Sequence, residues 1–513
     1  MQLKQPNPLG LAATTCLAFA ALAAGTPQAN AVTADDLRER IARIEHMPEM
    51  GRGQVSVCVV DIATREVLLA RQAHRVFAPA SVMKVITSAA ALAQLGPDYT
   101  YTTEIQTAGL LNEQGVLQGT LIIKGSGDPT LGSWRFKSEG FPGYTEWADQ
   151  AAAAVKAAGI TEIQGDVLAD ASLIDDQLIP DDWNWDDIGN YYAAGVAGVN
   201  LHENLYHLDF EVPRRVGLPT RIKAVRPPQT GVAFHNKVTA GEAGTGDRSY
   251  IYSAPYSNLA VVRGTLGSDA GKMSIRGAIQ DPPLFAAREL LAALQRAGIE
   301  VTGQATGTFQ SPRLAEGERQ TIWSYQSPSL ERIAYWVNKQ SVNLYAEALT
   351  LTMAVETGRP GKTTEGTAAT LEILNNLGVN TIGMILADGS GLARRNAVSA
   401  RQVVHVLERM TGHPSFAAFE ASLPIAGVAD DPGGLARTGL DTPAANNLRA
   451  KSGFIGHTRA YAGYVTDASG RKLAFCIMAN RFPGSSGPIT EAFKAFMLDL
   501  ARLEADAPAP AAE

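Results

Sequence analysis

Three cysteines in 513 residues are too few for a disulfide scaffold, and their spacing fits no zinc site. Cys16 lies in a leader described below, so only Cys58 and Cys476 bear on the fold. Both sit inside β-like apolar runs, 55–60 and 473–479, where a thiol serves as a small hydrophobe. An oxidising compartment would also let them pair, and spacing alone leaves that open. The net charge is −7 with no basic stripe, which excludes nucleic acid as a partner. No run reaches the roughly 20 apolar residues of a membrane-spanning helix. No G-x-S-x-G elbow exists. Gly361-Lys-Thr363 lacks the earlier glycine of a phosphate loop, and His202-Glu203 with His207 is out of register for H-E-x-x-H.

What is present begins with a leader. Lys4, a charge-free apolar run over 9–24 and Ala29-Asn-Ala31 read as a secretory signal cleaved after residue 31. The expected compartment is the periplasm. A chain of this length exceeds one core, so several domains are expected.

Thr33 is placed to cap a helix through Leu37, Ile41 and Ile44. Strands are expected over 54–60 and 67–70, and three more over 451–457, 460–465 and 472–479. Between the two groups lies a helix from Ser81 to Leu95, apolar nearly all round and so destined for a domain interior. Five strands divided between the chain ends, with helices against them, imply one α+β domain whose middle is interrupted. About 260 residues separate its halves, far more than a crossover needs. The stretch is strand-rich over 119–124, 163–169 and 211–273, then helical over 287–297, as expected of an insertion that carries another. The bounds read as 32–97 and 321–504 for the first domain, 98–207 and 274–320 for the second, 208–273 for the third, and 505–513 as an Ala/Pro-rich disordered tail.

Three strings carry chemistry. In Ser81-Val-Met-Lys84 the lysine stands one turn beyond the serine on the same helix face. A hydroxyl becomes a nucleophile when a base removes its proton, and a lysine is a base only as the neutral amine. Burial in that apolar helix, or a cation such as Lys451, would lower its pKa. Ser341-Val-Asn343 falls between helical runs 330–337 and 344–355, where Ser341 can relay a proton to a leaving amine and Asn343 can bind a substrate carbonyl. Both are also good cap residues. Lys451-Ser-Gly453 opens a strand where Lys451 and Ser452 can hold a carboxylate and Gly453 admits substrate backbone. The amides of Ser81 and Phe454 are the candidate oxyanion hole.

With these strings in place, the chain resembles the D-alanyl-D-alanine carboxypeptidase/endopeptidase family of low-molecular-mass penicillin-binding proteins, in its class C (DacB-type) branch. The resemblance also rests on Gly127-Asp-Pro-Thr-Leu131, Asp170-Ala-Ser172, Asn338-Lys-Gln-Ser-Val-Asn343 and Asp388-Gly-Ser-Gly-Leu392. It implies a penicillin-binding/β-lactamase-like transpeptidase domain with two nested insertions. It makes Ser81 the acylated serine and Lys84 its base, with Ser341, Asn343 and Lys451 completing the site. Asp170 and Arg394 are similar to positions lining the family's diaminopimelate pocket. Val342, Ser452 and Phe454 depart mildly from the usual residues, and Phe454 is expected to narrow the cleft. The implied activity is hydrolysis of D-Ala-D-Ala termini or D-Ala–diaminopimelate cross-links in peptidoglycan through an acyl-enzyme. β-Lactams would acylate the same serine, and no metal or cofactor is needed. The alternatives are a β-lactamase or esterase on this fold, and a wall-binding scaffold without activity.

Overall fold

A computed structural model describes residues 31–310 and 318–505. All but the last residue of the 1–31 leader and all but the first residue of the 505–513 tail lie outside the described residues.

Elements of the first domain are labelled in chain order. Thr33 caps α1 (Ala34–Glu45) reciprocally: its hydroxyl accepts from the Asp36 amide while Asp36 reaches back to the Thr33 amide. Strands β1 (Gln54–Asp61) and β2 (Val67–Arg71) follow, then α2 (Met83–Leu95), which ends at Gly96 with φ +81°. Past the insertion come α3 (Leu330–Lys339), α4 (Asn343–Glu356), α5 (Thr363–Asn376) and α6 (Ala400–Thr411). The chain closes with β3 (Arg449–Ile455), β4 (Thr458–Thr466), β5 (Lys472–Asn480) and α7 (Ser486–Leu500).

The five strands form one antiparallel sheet in the order β3-β4-β5-β1-β2. Side chains alternate across a strand, so β1 and β5 serve two cores at once. Val55, Val57, Val59, Phe475 and Ile477 face α1 and α7, together with Leu37, Ile41, Phe493 and Phe496. Cys58, Val60, Cys476 and Met478 face the opposite core, where α2 lies. Helix α2 is buried all round except near its C-terminus, so Met83, Val85, Ile86 and Leu92 each contribute about 2 kcal/mol of burial. The sheet on one side, and α3, α4 and α5 on the other, hold it from every direction.

Cys58 and Cys476 sit opposite one another across β1 and β5 as free, fully buried thiols. Burial pushes the Cys58 thiol up to about 12 and holds Cys476 well above the usual thiol range. Native protein is therefore expected to leave both thiols unreacted with a soluble disulfide reagent at pH 8, and denatured protein to titrate them fully. Rapid native labelling would contradict this packing.

The insertion opens after Gly96. Thr102–Leu111, Val116–Lys124 and Arg319–Gln326 are the long strands of a seven-stranded mixed sheet, packed on helices Tyr144–Ala157 and Pro282–Arg296. The boundary read at residue 320 thus falls inside a strand that pairs with Thr102–Leu111 and belongs with the insertion. Within it, six further strands make two three-stranded sheets between Leu205 and Ala278. This reaches past 208–273 at both ends, because Leu205–Glu211 and Lys272–Ala278 pair along their whole length.

Candidate active site

The serine does not start the α-helix. Ser81 sits in a 3-10 turn, Ala80–Val82, immediately ahead of α2, and Ala80 before it has a positive φ of +47°. Three elements press this turn into shape. Asn480 of β5 brackets Ala78, accepting from its amide at 2.8 Å and donating to its carbonyl at 3.1 Å. Gly391 has φ +83°, and a Cβ there would overlap the Ala80 carbonyl. Gly453 of β3 lies against the turn: a Cβ on it would stand 2.6 Å from the Pro79 oxygen and 3.2 Å from the Ser81 amide nitrogen. The glycine is required first by the protein's own backbone, whereas the sequence suggested room for substrate. Gly453→Ala is expected to displace the serine turn and lower activity by about a hundredfold or more, with folding measured alongside by circular dichroism. Wild-type rates in that variant would contradict the packing.

Lys84 lies one turn on, with no exposed surface. Its Nζ donates to Ser81 Oγ at 3.1 Å, to Asn343 Oδ1 at 2.6 Å and to the Ser390 carbonyl at 2.6 Å. The ammonium form gives one N–H to each of these three oxygens, and the neutral amine keeps two and turns its lone pair to the Ser81 hydroxyl. Burial brings its pKa down to about 8, against the opposing pull of the Asp388 and Glu347 carboxylates. Burial and the neighbouring Asp388 in turn push the Glu347 carboxyl above the usual carboxylate range.

Asn343 begins α4, and its Nδ2 donates to the Tyr192 carbonyl at 2.7 Å. Ser341 occupies the α3–α4 turn with φ +57°, and its hydroxyl makes no hydrogen bond to Lys84 or Lys451 among the described residues. Val342 packs inward against the hydrophobic core, away from the polar groups. Lys451 is buried beside Lys84; burial and repulsion from Lys84 and Arg459 hold its pKa well below the usual lysine range. Its Nζ donates to the Ser452 carbonyl at 2.6 Å. Phe454 turns outward, 56% exposed, with the Arg459 guanidinium 5.6 Å from its ring centre.

A serine on a strained turn, a buried amine aimed at it and a glycine strand against its amide form an acyl-transfer arrangement. Residues 37–499 match the D-Ala-D-Ala carboxypeptidase 3 (S13) family. The chain belongs to that family. It is 31% identical over 460 residues to a D-alanyl-D-alanine carboxypeptidase of Actinomadura sp. (strain R39), covering 88% of this chain and 82% of that protein. It is 27% identical over 414 residues to the D-alanyl-D-alanine carboxypeptidase DacB of Haemophilus influenzae, covering 79% and 80%. The crystal structure of penicillin binding protein 4 (dacB) from Haemophilus influenzae shares the fold, with a TM-score of 0.75 at 24% identity over 92% of this chain and 99% of that one. The same protein has been solved in complex with a β-lactam.

Around the Ser81 turn of this S13 chain stand residues to which the sequence assigned no role. The Asp388–Leu392 string wraps the Asp388 carboxylate, which accepts from the amides of Gly391 (2.8 Å) and Ala393 (2.6 Å), from Asn396 Nδ2 (2.6 Å) and from Trp183 Nε1 (2.9 Å). Glu347 takes the amides of Gly389 and Ser390 at 3.0 and 2.8 Å, presenting the Ser390 carbonyl to Lys84. The string itself was legible, but its role was not, since it depends on contacts from α4 and from the insertion.

Asp170 is not brought to this cluster. Its carboxylate pairs with Arg319 at 2.7 Å and accepts from the Ser172 amide at 3.1 Å, so its charge is already matched within the insertion. The insertion instead reaches the site through a loop that carries Trp183 and Tyr192. Arg394 does lie by this loop: Asn184, with its amide turned to suit, accepts from Arg394 Nε at 2.8 Å and Nη2 at 3.1 Å. Asp187, held above the usual carboxylate range by burial, also feels the Arg394 charge. Arg394, Gly456, His457, Asn480 and Arg481 line a cavity of about 740 Å³ at the far end of β3. Nothing in the sequence pattern marks this loop, because it has neither helical nor strand periodicity.

Proposed function

We propose that this carboxypeptidase-family hydrolase is a serine-type D,D-peptidase of the periplasm. It cleaves D-Ala-D-Ala termini, and D-Ala–diaminopimelate cross-links, through an acyl-enzyme. The reading rests above all on one observation: Lys84 Nζ, wholly buried, stands 3.1 Å from Ser81 Oγ.

Neutral Lys84 takes the Ser81 proton as Oγ attacks the carbonyl between the two D-centres. The Ser81 amide and the neighbouring β3 backbone receive the developing oxyanion. Lys451 and Ser452 take the terminal carboxylate. The C–N bond breaks, and the leaving amine collects a proton by way of Ser341 or the lysine. Water then attacks the ester with Lys84 again acting as base, which frees the serine. Arg394 at the cavity beyond β3 is available to an anionic group on the acyl side. Asn343 Oδ1 is one of the three acceptors around Lys84 Nζ, which supports a role in the site better than a cap role for Asn343.

The test is release of free D-alanine from a diacylated Lys-D-Ala-D-Ala tripeptide beside turnover of nitrocefin. D-Alanine release with at most slow nitrocefin turnover is expected. Fast nitrocefin turnover without D-alanine would make the chain a β-lactamase, and neither reaction nor any penicillin adduct would make it a scaffold.

A further inference from the structure

Aromatic residues are only 7% of this chain, yet several gather outside the core beside the active site. The loop that brings Trp183 and Tyr192 inward turns two other rings outward: Trp185 is 58% exposed and Tyr191 43% exposed. Strand Asp247–Tyr252, an edge strand of the innermost insertion, lies beside them. Its alternation buries Ile251 and sends Tyr250 and Tyr252 to the other face. The Tyr252 ring centre is 6.3 Å from that of Trp185, and Arg276 covers Tyr191 at 4.0 Å. Tyr250 is 44% exposed on that face. The arrangement is preformed, because Asn190 Oδ1 accepts from the Ile251 amide at 3.0 Å and ties loop to strand.

Two ring pairs thus stand on this loop and strand: Tyr191 against Tyr192, whose carbonyl holds Asn343, and Tyr252 against Trp185. Exposed rings gathered on one loop and the strand tied to it mark a binding surface. Trp and Tyr combine an apolar face with a polar edge, which matches a pyranose ring: its C–H face stacks and its hydroxyl edge hydrogen-bonds. On the function proposed above, the stem peptide that fills the site is tied to a sugar only about three residues away, roughly 10 Å of extended chain.

We propose that Trp185, Tyr250 and Tyr252 dock the glycan strand of the same peptidoglycan molecule whose stem peptide enters the Ser81 site. The inference rests on that functional reading for its substrate, so its test is made independent of turnover. Peptide-free glycan oligomers, prepared by amidase treatment of peptidoglycan, are titrated calorimetrically into wild-type protein and into the double variant Trp185→Ala/Tyr250→Ala. Wild type is expected to bind, and the variant to bind at least tenfold more weakly with an unchanged melting temperature. Turnover is then compared on two substrates. The variant is expected to keep kcat/KM within about twofold on the diacylated tripeptide and to lose tenfold or more, through KM, on glycan-linked pentapeptide. Equal glycan binding by both proteins, no glycan binding by wild type, or equal losses on both substrates would overturn the proposal. Wild-type protein that binds glycan but cleaves neither substrate would instead remove the peptidase reading and leave the docking surface standing.

Discussion

Ser81→Ala is expected to lose D-alanine release by about 10⁴-fold or more and to form no covalent adduct with a fluorescent penicillin. The hydroxyl is half-exposed at the mouth of a rigid turn, and among the described residues no other serine hydroxyl accepts from a buried lysine. Truncating it removes one oxygen from a partly accessible position, so stability should change little. Melting temperature and adduct formation, measured on the same preparation, separate loss of chemistry from loss of fold. A persistent adduct in Ser81→Ala would place the nucleophile elsewhere.

A loss of similar size is expected for Lys84→Arg. A guanidinium stays protonated at all working pH values and cannot act as base. The site also has no room for it, since the three acceptors around Nζ are fixed by α4, the Asp388 string and the serine turn. Wild-type protein carries the matching signature in its pH dependence. Burial favours the neutral amine and has drawn the Lys84 pKa down from the usual lysine value to about 8. The base form is therefore complete above that pH and falls about tenfold per unit below it. Acylation should rise from pH 6 and level off above pH 8.

Much of this arrangement was legible in the chain. Ser81 and Lys84 one turn apart needed only helical spacing and an apolar helix, and burial rather than Lys451 is what depresses Lys84. The five strands followed from alternation and turn residues, and Thr33 from its capping position. What stayed hidden depends on contacts between distant segments. Ser390 serves through its carbonyl, which no side-chain pattern announces. Gly453 is required by Pro79, some 370 residues away in sequence, a constraint that only the folded turn reveals. Asp170 is similar to a pocket-lining position by resemblance, but the sequence does not show its partner Arg319, which comes from a strand that closes the insertion. The loop bearing Trp183, Trp185 and Tyr192 has no periodicity, and its importance comes wholly from where the insertion sets it.

The second-order rate constant of acylation by a fluorescent penicillin, followed from pH 5.5 to 9.5 on wild type and Lys84→Arg, tests the central claim most directly. A single rise with its midpoint near pH 8 in wild type, and no measurable acylation of the variant, are the predicted results. A flat profile, or a variant acylated at the wild-type rate, would contradict the account of a buried neutral lysine activating Ser81.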